Sequence, residues 1–321
     1  MVIEREKKMA QNKTAMEHYV PQVYLRSFAD EKNICHVYDK QKDKFFKTNI
    51  SNIMGERYFY DFSKKLVSEL NNLNNAEIDV QLLEKVLSQT VDGYLKNIIK
   101  NIEANYRWFS VKYPWIYLNI YKCITIQLLR TPHGRETTTE LYSEIFKEKQ
   151  QEEFTNLFLA KEIFEVLKEY PDSYMLNHLL NNFGHICLGI NDTTTPFITG
   201  DQPVIELNGF EENGNSIIYY PVTPRRCIIL MKRAVVSPQL PIVIQEVKEG
   251  KFTINGLSDI TMESYAREKA IREKMNPLTK DIGEKNVNKL NAAIGISSER
   301  FVVSKEGLNG MDKIVKYGKN P

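Results

Sequence analysis

The chain of 321 residues is 42% hydrophobic and 26% charged, an ordinary globular composition that excludes wholesale disorder and allows a sizeable core. Its 43 Lys and Arg residues against 41 Asp and Glu residues leave a net charge of +2. That balance excludes a protein that coats nucleic acid or an anionic membrane through its overall charge, so any basic site must be local.

The N-terminal half is predicted to pass from strands to helices. Residues 1–16 are polar and predict a flexible leader. Short aromatic and β-branched runs from Asn33 to Asp61 predict two or three strands, including a hairpin. Between Asn75 and Glu103 the apolar residues recur at three-, four- and five-residue steps, which predicts an amphipathic helix. These residues are Ile78, Leu82, Val86, Val91, Leu95, Ile98 and Ile102.

More helices follow, and the pattern reverts to strands at His185. A last strand is predicted at 300–304. The other helices are predicted at about 114–130, 136–149, 151–169, 172–183, 258–274 and 284–295.

This order of elements predicts an α+β fold rather than a doubly wound α/β fold. Short N-terminal strands, a central helical bundle, and C-terminal antiparallel strands and helices would form one compact domain. We expect that domain at 17–305, with a helical insertion at about 75–183 and a tail at 306–321.

The cysteines indicate a reducing compartment. Cys35, Cys123, Cys187 and Cys227 form no Cys-x-x-Cys pair, and the charged N-terminus lacks the apolar core of a signal peptide. No uninterrupted apolar stretch reaches the length of about 18 residues that indicates a membrane span. We therefore expect reduced thiols in a soluble, cytoplasmic protein without a membrane segment.

Familiar chemical fingerprints are missing from the sequence. It has no phosphate-binding P-loop, no dinucleotide-binding Gly-x-Gly-x-x-Gly, no His-Glu-x-x-His and no Gly-x-Ser-x-Gly. These absences disfavour NTPases, nicotinamide enzymes, zincins and serine hydrolases. No group of carboxylates stands at metal-ligand spacing, so we expect neither a metal nor another cofactor.

The first candidate site segment runs from His18 to Phe28. Pro21 suits the first position of a helix, which would place Gln22 and Arg26 on one face and His18 just before the helix. A helix N-terminus attracts phosphate and favours a neutral imidazole that can act as a base. Alternatively, His18 bonds a neighbouring loop while the aromatic residues of the segment pack into the core.

A second segment closes the long helix at about 114–130. Gln127 and Arg130 are three residues apart and share a face, which offers an amide and a guanidinium fork to an oxyanion. Alternatively, Arg130 complements the dipole at the C-terminus of the helix.

Three further polar residues in the C-terminal half are candidates for the site. Asp201 ends a strand, where it could serve as an acid, a base or a carboxylate that orients His18, or could form a turn with its own backbone. Arg225 follows a Pro-x-x-Pro segment, and Asn291 lies within a helix, where an inward-facing amide would bond a neighbouring segment.

Taken together, these segments resemble a bacterial family known as domain of unknown function 4238. The family opening His-Tyr-x-Pro-Gln-x-Tyr-Leu-x-x-Phe is matched by His18 to Phe28 and includes Tyr19, and Gln-x-x-Arg-Thr-Pro is matched by Gln127 to Pro132. The family element Thr-Ser-Asp-x-Pro-Val begins here at Thr199 and has Gly200 in place of Ser. The resemblance implies an association with mobile elements and phage defence, and it brings no established reaction.

Two functions are consistent with these residues. In the first, a metal-independent ribonuclease-like phosphodiesterase uses His18 for proton transfer, Arg26 and Arg130 for phosphorane charge, and Asp201 to orient His18. The substrate would be RNA or a nucleotide, held by Tyr19, Gln22, Gln127, Arg225 and Asn291. In the second, the same groups hold an anionic ligand or a phage component without turnover. A third reading makes these motifs fold-specifying turns in a protein that acts through a partner protein; the oligomeric state stays open.

Overall fold

The computed structural model describes most of the predicted domain. The predicted helix at 258–274 and most of the predicted leader and tail lie outside the described residues. The described residues are 16–74, 78–104, 114–143, 148–168, 171–183, 185–208, 216–231, 279–308 and 310–311.

The N-terminal part consists of short strands around one short helix. Half-buried and buried side chains alternate over the first four residues of the second strand, which fits the two-residue period of a sheet. The helix continues as a single 3₁₀ turn, and Pro21 directly precedes it with an extended backbone. These elements are β1 Met16–His18, α1 Gln22–Leu25, β2 Ile34–Asp39, β3 Lys44–Asn49 and β4 Gly55–Arg57.

Helices then dominate up to residue 182. Asp92–Ala104 continues directly from Leu82–Val86 through one π-helical turn at Leu87–Val91. The five-residue step between Val86 and Val91 falls on this turn, because a π-helical turn takes one residue more than an α-helical turn. The helices are α2 Lys64–Asn74, α3 Leu82–Val86, α4 Asp92–Ala104, α5 Pro114–Leu129, α6 Pro132–Ser143, α7 Glu148–Leu167 and α8 Tyr174–Asn182.

The C-terminal part returns to strands and ends with a helix and a strand. Its elements are β5 His185–Ile190, β6 Thr199–Gly200, β7 Ile205–Leu207, β8 Ile217–Thr223, β9 Arg226–Met231, β10 Thr279–Asp281, α9 Glu284–Ser297 and β11 Phe301–Ser304.

Three sheets organise these strands. A five-stranded sheet has the order β10-β5-β9-β8-β7 and is antiparallel except for the β10–β5 pair. A four-stranded sheet has the order β3-β2-β11-β6, so a C-terminal strand lies between strands from distant parts of the chain. The third sheet is the antiparallel pair β1–β4.

The five-stranded sheet is buried on both faces. Along β8, Ile218, Tyr220 and Val222 pack with the helices, whereas Ile217 and Tyr219 pack on the other side with α9 and β11. This two-residue alternation is the pleat of a strand between two layers. The four-stranded sheet likewise contributes side chains to both clusters, so the two larger sheets separate two adjoining hydrophobic cores, one shared with the helical region and one with α9.

The predicted α+β class is confirmed by these separate helical and antiparallel regions. The domain boundaries stay a prediction. Several local expectations differ from the structure. The elements α2, β1 and β10 were not predicted, residues 78–81 precede α3 instead of being helical, and α6 begins at Pro132 rather than at about residue 136. None of the described helices has the length and apolar character needed to cross a membrane. All four cysteines are buried free thiols.

Candidate functional site

His18 lies at the end of β1, and both of its ring nitrogens have neighbours. Its Nε2–H donates to the carbonyl oxygen of Ser51 at 3.2 Å, and its Nδ1 accepts from the amide of Gln22 at 3.4 Å. Because a carbonyl only accepts and an amide N–H only donates, these contacts fit the neutral tautomer with the proton on Nε2.

The surroundings of His18 also favour its neutral form. Burial lowers the pKa of the imidazole, the bond to Ser51 partly opposes this, and the positive charge of Arg130 lowers the pKa further. Gly55 faces His18 across the β1–β4 pair, and a Cβ at Gly55 would lie 3.1 Å from the ring carbon Cδ2. A side chain at position 55 would need the His18 ring or the Glu17 backbone to shift by a few tenths of an ångström, so the close contact favours glycine there.

Arg130 follows α5 and is only 2% exposed. One terminal nitrogen donates to the Asp92 carboxylate at 2.8 Å, and the other donates to the backbone oxygen of His18 at 2.8 Å. The hydroxyl of Tyr60 donates to the Arg130 carbonyl at 2.8 Å. Arg130 therefore fixes the backbone of His18 instead of presenting its charge to solvent.

Two further carboxyl groups lie around Arg130 and Tyr60. Glu17 is fully buried and accepts from the Tyr60 backbone N–H at 2.7 Å and the Gln81 amide at 3.0 Å. Burial, with the nearby charge of Asp61, raises the pKa of Glu17 to about 6. The charge of Glu17 also acts on the neighbouring carboxyl group of Glu84.

Glu84 is the most perturbed of these acids. Burial raises the pKa of Glu84 to about 7, although the charge of Arg130 opposes the rise. Among the described residues, neither Glu84 Oε2 nor Arg130 Nε has a hydrogen-bond partner, although both atoms are buried. Perturbed carboxyl groups beside a buried guanidinium are typical of functional sites, and ionic networks with a structural role also produce them. We refer to Glu17, Glu84, Asp92 and Arg130 as the buried ionic network.

The π-helical turn Leu87–Val91 directly precedes the residue that binds Arg130. It ends at Asp92, the first residue of α4. The additional residue in the turn rotates α4 relative to α3 by about 100°, the angular step of one helical residue. Leu83 before the turn, and Leu87 and Val91 within it, stay buried while Asp92 contacts Arg130.

Tyr19 and Gln127 join the same region. The Gln127 amide donates to the backbone oxygen of Tyr19 at 3.2 Å, so α5 holds two consecutive carbonyl groups of the N-terminal segment through Gln127 and Arg130. The Tyr19 ring packs on Phe59 with 5.6 Å between centroids. Burial raises the pKa of the Tyr19 hydroxyl, and the charge of Asp201 adds to this.

Asp201 binds backbone rather than His18. Its carboxylate accepts from three successive N–H groups, those of Glu299, Arg300 and Phe301, at 2.7–2.9 Å. The ring of His18 is instead oriented by Ser51. Burial raises the pKa of Asp201, and the three N–H donors oppose the rise.

The neighbouring Gly200 has a steric explanation. A Cβ at Gly200 would lie 1.9 Å from the Ser298 hydroxyl oxygen, so that hydroxyl occupies the space that a side chain at 200 would need. The Ser298 hydroxyl donates to the Ile294 carbonyl at the end of α9. Gly200, where the family pattern has Ser, therefore leaves room for the Ser298 hydroxyl.

Asn291 and Arg225 lie at a different place, around the loop before β6. Asn291 donates to the Pro196 carbonyl at 2.8 Å and accepts from the Ile198 N–H at 3.1 Å. Arg225 donates to the Thr193 carbonyl. These contacts are the inter-segment bonds that we expected of an inward-facing asparagine, and they do not involve His18.

The structure thus brings together His18, Gln22 and Arg130, with Gln127 bound to the adjacent Tyr19 carbonyl. Arg26 is exposed on the 3₁₀ turn after α1. Asp201 acts electrostatically on Tyr19, and Arg225 and Asn291 lie at the other loop.

Sequence reasoning missed Glu17, Glu84 and Asp92. Glu17 adjoins His18 in the chain, and the eight-residue spacing of Glu84 and Asp92 was an available signal. That spacing is ambiguous, however, because the π-helical turn between them changes the face on which Asp92 lies.

The fold and this site define an α+β protein with a buried ionic network beneath a neutral histidine. The family model "Protein of unknown function (DUF4238)" matches residues 17–307, and the chain therefore belongs to this family. The match includes every residue of the site. No curated protein and no solved structure matches the chain.

Proposed function

We propose that the chain is a phage-defence effector that cleaves phosphodiesters, with RNA as its first candidate substrate, and that His18 transfers the proton. The observation that supports this proposal is the neutral tautomer of His18. Its Nε2–H is oriented by the Ser51 carbonyl, and Nδ1 carries the lone pair that a base needs.

In this mechanism, His18 Nδ1 takes the proton of a ribose 2′-hydroxyl while the 2′-oxygen bonds to phosphorus. The bond from phosphorus to the 5′-oxygen breaks, and the imidazolium returns the proton to that oxygen directly or through water. The Gln22 amide, at 3.4 Å from Nδ1, turns to the phosphate when substrate enters. The exposed Arg26, four residues from Gln22, offers the cation that stabilises the phosphorane charge.

The buried ionic network holds the backbone of His18 through Arg130. Arg130 and Gln127 position the backbone of His18 and Tyr19 rather than contacting phosphate, since their donors are bound to these carbonyl groups and to Asp92. No step of the proposed reaction uses a metal ion, so cleavage should persist in a chelator.

The test is cleavage of end-labelled RNA by the purified chain in EDTA. We expect His18→Gln to lower the cleavage rate by at least about a hundredfold, the contribution of a general base, whereas His178→Gln on α8 leaves it unchanged. For the native protein the rate should rise with pH through a value below the ordinary histidine pKa and then level off, because burial lowers the pKa of His18.

Urea unfolding of both variants separates loss of chemistry from loss of fold. Overproduction in cells supplies a second readout, in which the native chain and the His178 variant arrest growth and the His18 variant does not. Equal cleavage or equal growth arrest by a folded His18→Gln protein would rule out His18 as the proton-transfer group.

A non-catalytic binding module is the second candidate, and the contacts of Arg130 favour it. Because this buried arginine donates to His18 and Asp92, it is not free to stabilise a transition state. In this function the surface around Gln22 and Arg26 holds an anionic ligand without turnover. RNA that binds in a filter assay and stays intact, with binding weakened by Arg26→Ala, would distinguish this function from cleavage.

A further inference from the structure

A histidine and two glutamates meet between α6 and the loop before β11. His133 and Glu136 occupy the first turns of α6, three residues apart, and Glu299 comes from the 298–300 loop. The ligand atoms of the three side chains all lie within 4.8 Å of one another, and all three residues are exposed. One imidazole nitrogen and two carboxylates thus converge from segments far apart in the chain.

We propose that His133, Glu136 and Glu299 bind a divalent transition-metal ion, with Zn²⁺ as the best match. One imidazole and two carboxylates are a donor set that suits Zn²⁺ better than the all-oxygen sites of Mg²⁺ or Ca²⁺. Three protein ligands leave a position for water or a bound molecule, as in sites that are not purely structural.

The geometry requires only a small closing movement. Ligand atoms at about 2.1 Å from a tetrahedral Zn²⁺ stand about 3.4 Å apart, so a pair at the present limit of 4.8 Å must close by roughly 1.4 Å. Rotation of exposed side chains can supply it, and the backbone need not move. Glu299 is already held from both sides, because its N–H donates to Asp201 and its Oε1 accepts from the Gln202 amide.

Charge supplies a second argument. Within the described parts of the chain, no lysine or arginine forms an ion pair with Glu136 or Glu299. Two carboxylates that approach each other without a cation repel, and a bound cation turns that repulsion into attraction. The ion would also cross-link α6 of the helical layer to the loop that precedes β11.

The experiment uses the full chain without a histidine tag, freed of metal by dialysis against a chelator. Calorimetric titration with ZnCl₂ should give one ion per chain, and His133→Ala and Glu299→Gln should each weaken binding by at least about tenfold. His178→Ala and Glu103→Gln are matched exposed controls that should bind as the native chain does. Zinc should also raise the melting temperature of the native protein and of the controls only.

Two results would overturn this site: the absence of saturable zinc binding up to millimolar concentration, or unchanged affinity in both ligand variants when circular dichroism shows them folded. Displacement of zinc by equimolar MgCl₂ would contradict the role of the imidazole. The inference does not rest on the proposed function, because RNA cleavage by His18 is assayed in EDTA and zinc binding without RNA. Either one can fail while the other holds.

Discussion

At the scale of single residues, most of the polar side chains singled out by the sequence motifs bind backbone groups of distant segments. Arg130 and Gln127 bind carbonyl groups of the N-terminal segment, Asp201 binds the loop before β11, and Asn291 binds both sides of the 196–198 segment. Each such bond is buried or half-buried, so loss of one partner leaves the other unsatisfied at a cost of about 1–3 kcal/mol. His18 differs, because its ring keeps a lone pair that faces the Gln22 amide at 3.4 Å.

The first prediction at this scale concerns Glu84. Its pKa of about 7 in the folded protein lies above that of an ordinary carboxyl group, so the protonated form is favoured by folding. The resulting stability is complete below the unfolded pKa and is lost as pH rises through about 7. The free energy of unfolding of Glu84→Gln should therefore exceed that of the native chain by about 1–2 kcal/mol at pH 8, after allowance for partial exposure. At about pH 4 the two free energies should be similar.

Urea unfolding at the two pH values measures this difference. Glu103→Gln, an exposed acid on α4, controls for the loss of one negative charge and should show no pH-dependent gain. A Glu84→Gln protein whose stability relative to native is the same at both pH values would show that the carboxyl group is not perturbed by folding.

A second residue-scale prediction contrasts two aspartates that bind backbone N–H groups. Asp201→Ala should lower the free energy of unfolding by about 3 kcal/mol, because three donors lose a buried charged acceptor. Asp30→Ala removes an exposed local turn with the N–H groups of Lys32 and Ile34 and should cost only a small fraction of that. Chemical denaturation compares the two variants, and similar losses would indicate that burial of Asp201 adds nothing.

At the scale of elements, the decisive feature is the π-helical turn Leu87–Val91 between α3 and α4. It adjusts one continuous helix so that the apolar residues on both sides of the turn stay buried and Asp92 contacts Arg130. The five-residue step from Val86 to Val91 in the apolar pattern is the sequence signal of this turn. A regular α-helix through the same residues would lose either packing or the ion pair.

Deletion of Gln89 from this turn tests that interpretation. Restoring the α-helical period rotates α3 against α4 by about 100°, so at least one buried leucine leaves the core and stability should fall by roughly 3 kcal/mol or more. Gln89→Ala keeps the turn and should be close to native, because Gln89 is exposed. Chemical unfolding compares the two proteins, and near-native stability of the deletion would exclude a packing role for the turn.

At the scale of the whole molecule, the fold joins the N-terminal strands to the last described strand. β11 lies between β2 and β6 in the four-stranded sheet, and Arg300 pairs with Asp39 across the β2–β11 contact at 3.2 Å. Lys40 donates to carbonyl groups at the end of α9. Arg300 and Lys40 thus use their charges in structural contacts and offer little to a local anion site.

Periodicity and motif order are local properties, and they were enough to predict the α+β class, the hairpin β2–β3, most of the described helices and strands, and the family. The sequence also identified His18 and Gln22 in one segment, and Arg130 in another, as candidate site residues. Only the tertiary structure decided their partners: His18 with Ser51, Arg130 with Asp92, and Glu299 with His133. Those partners lie more than 30 residues apart along the chain, and a pattern of types and spacings carries no record of which distant segments meet.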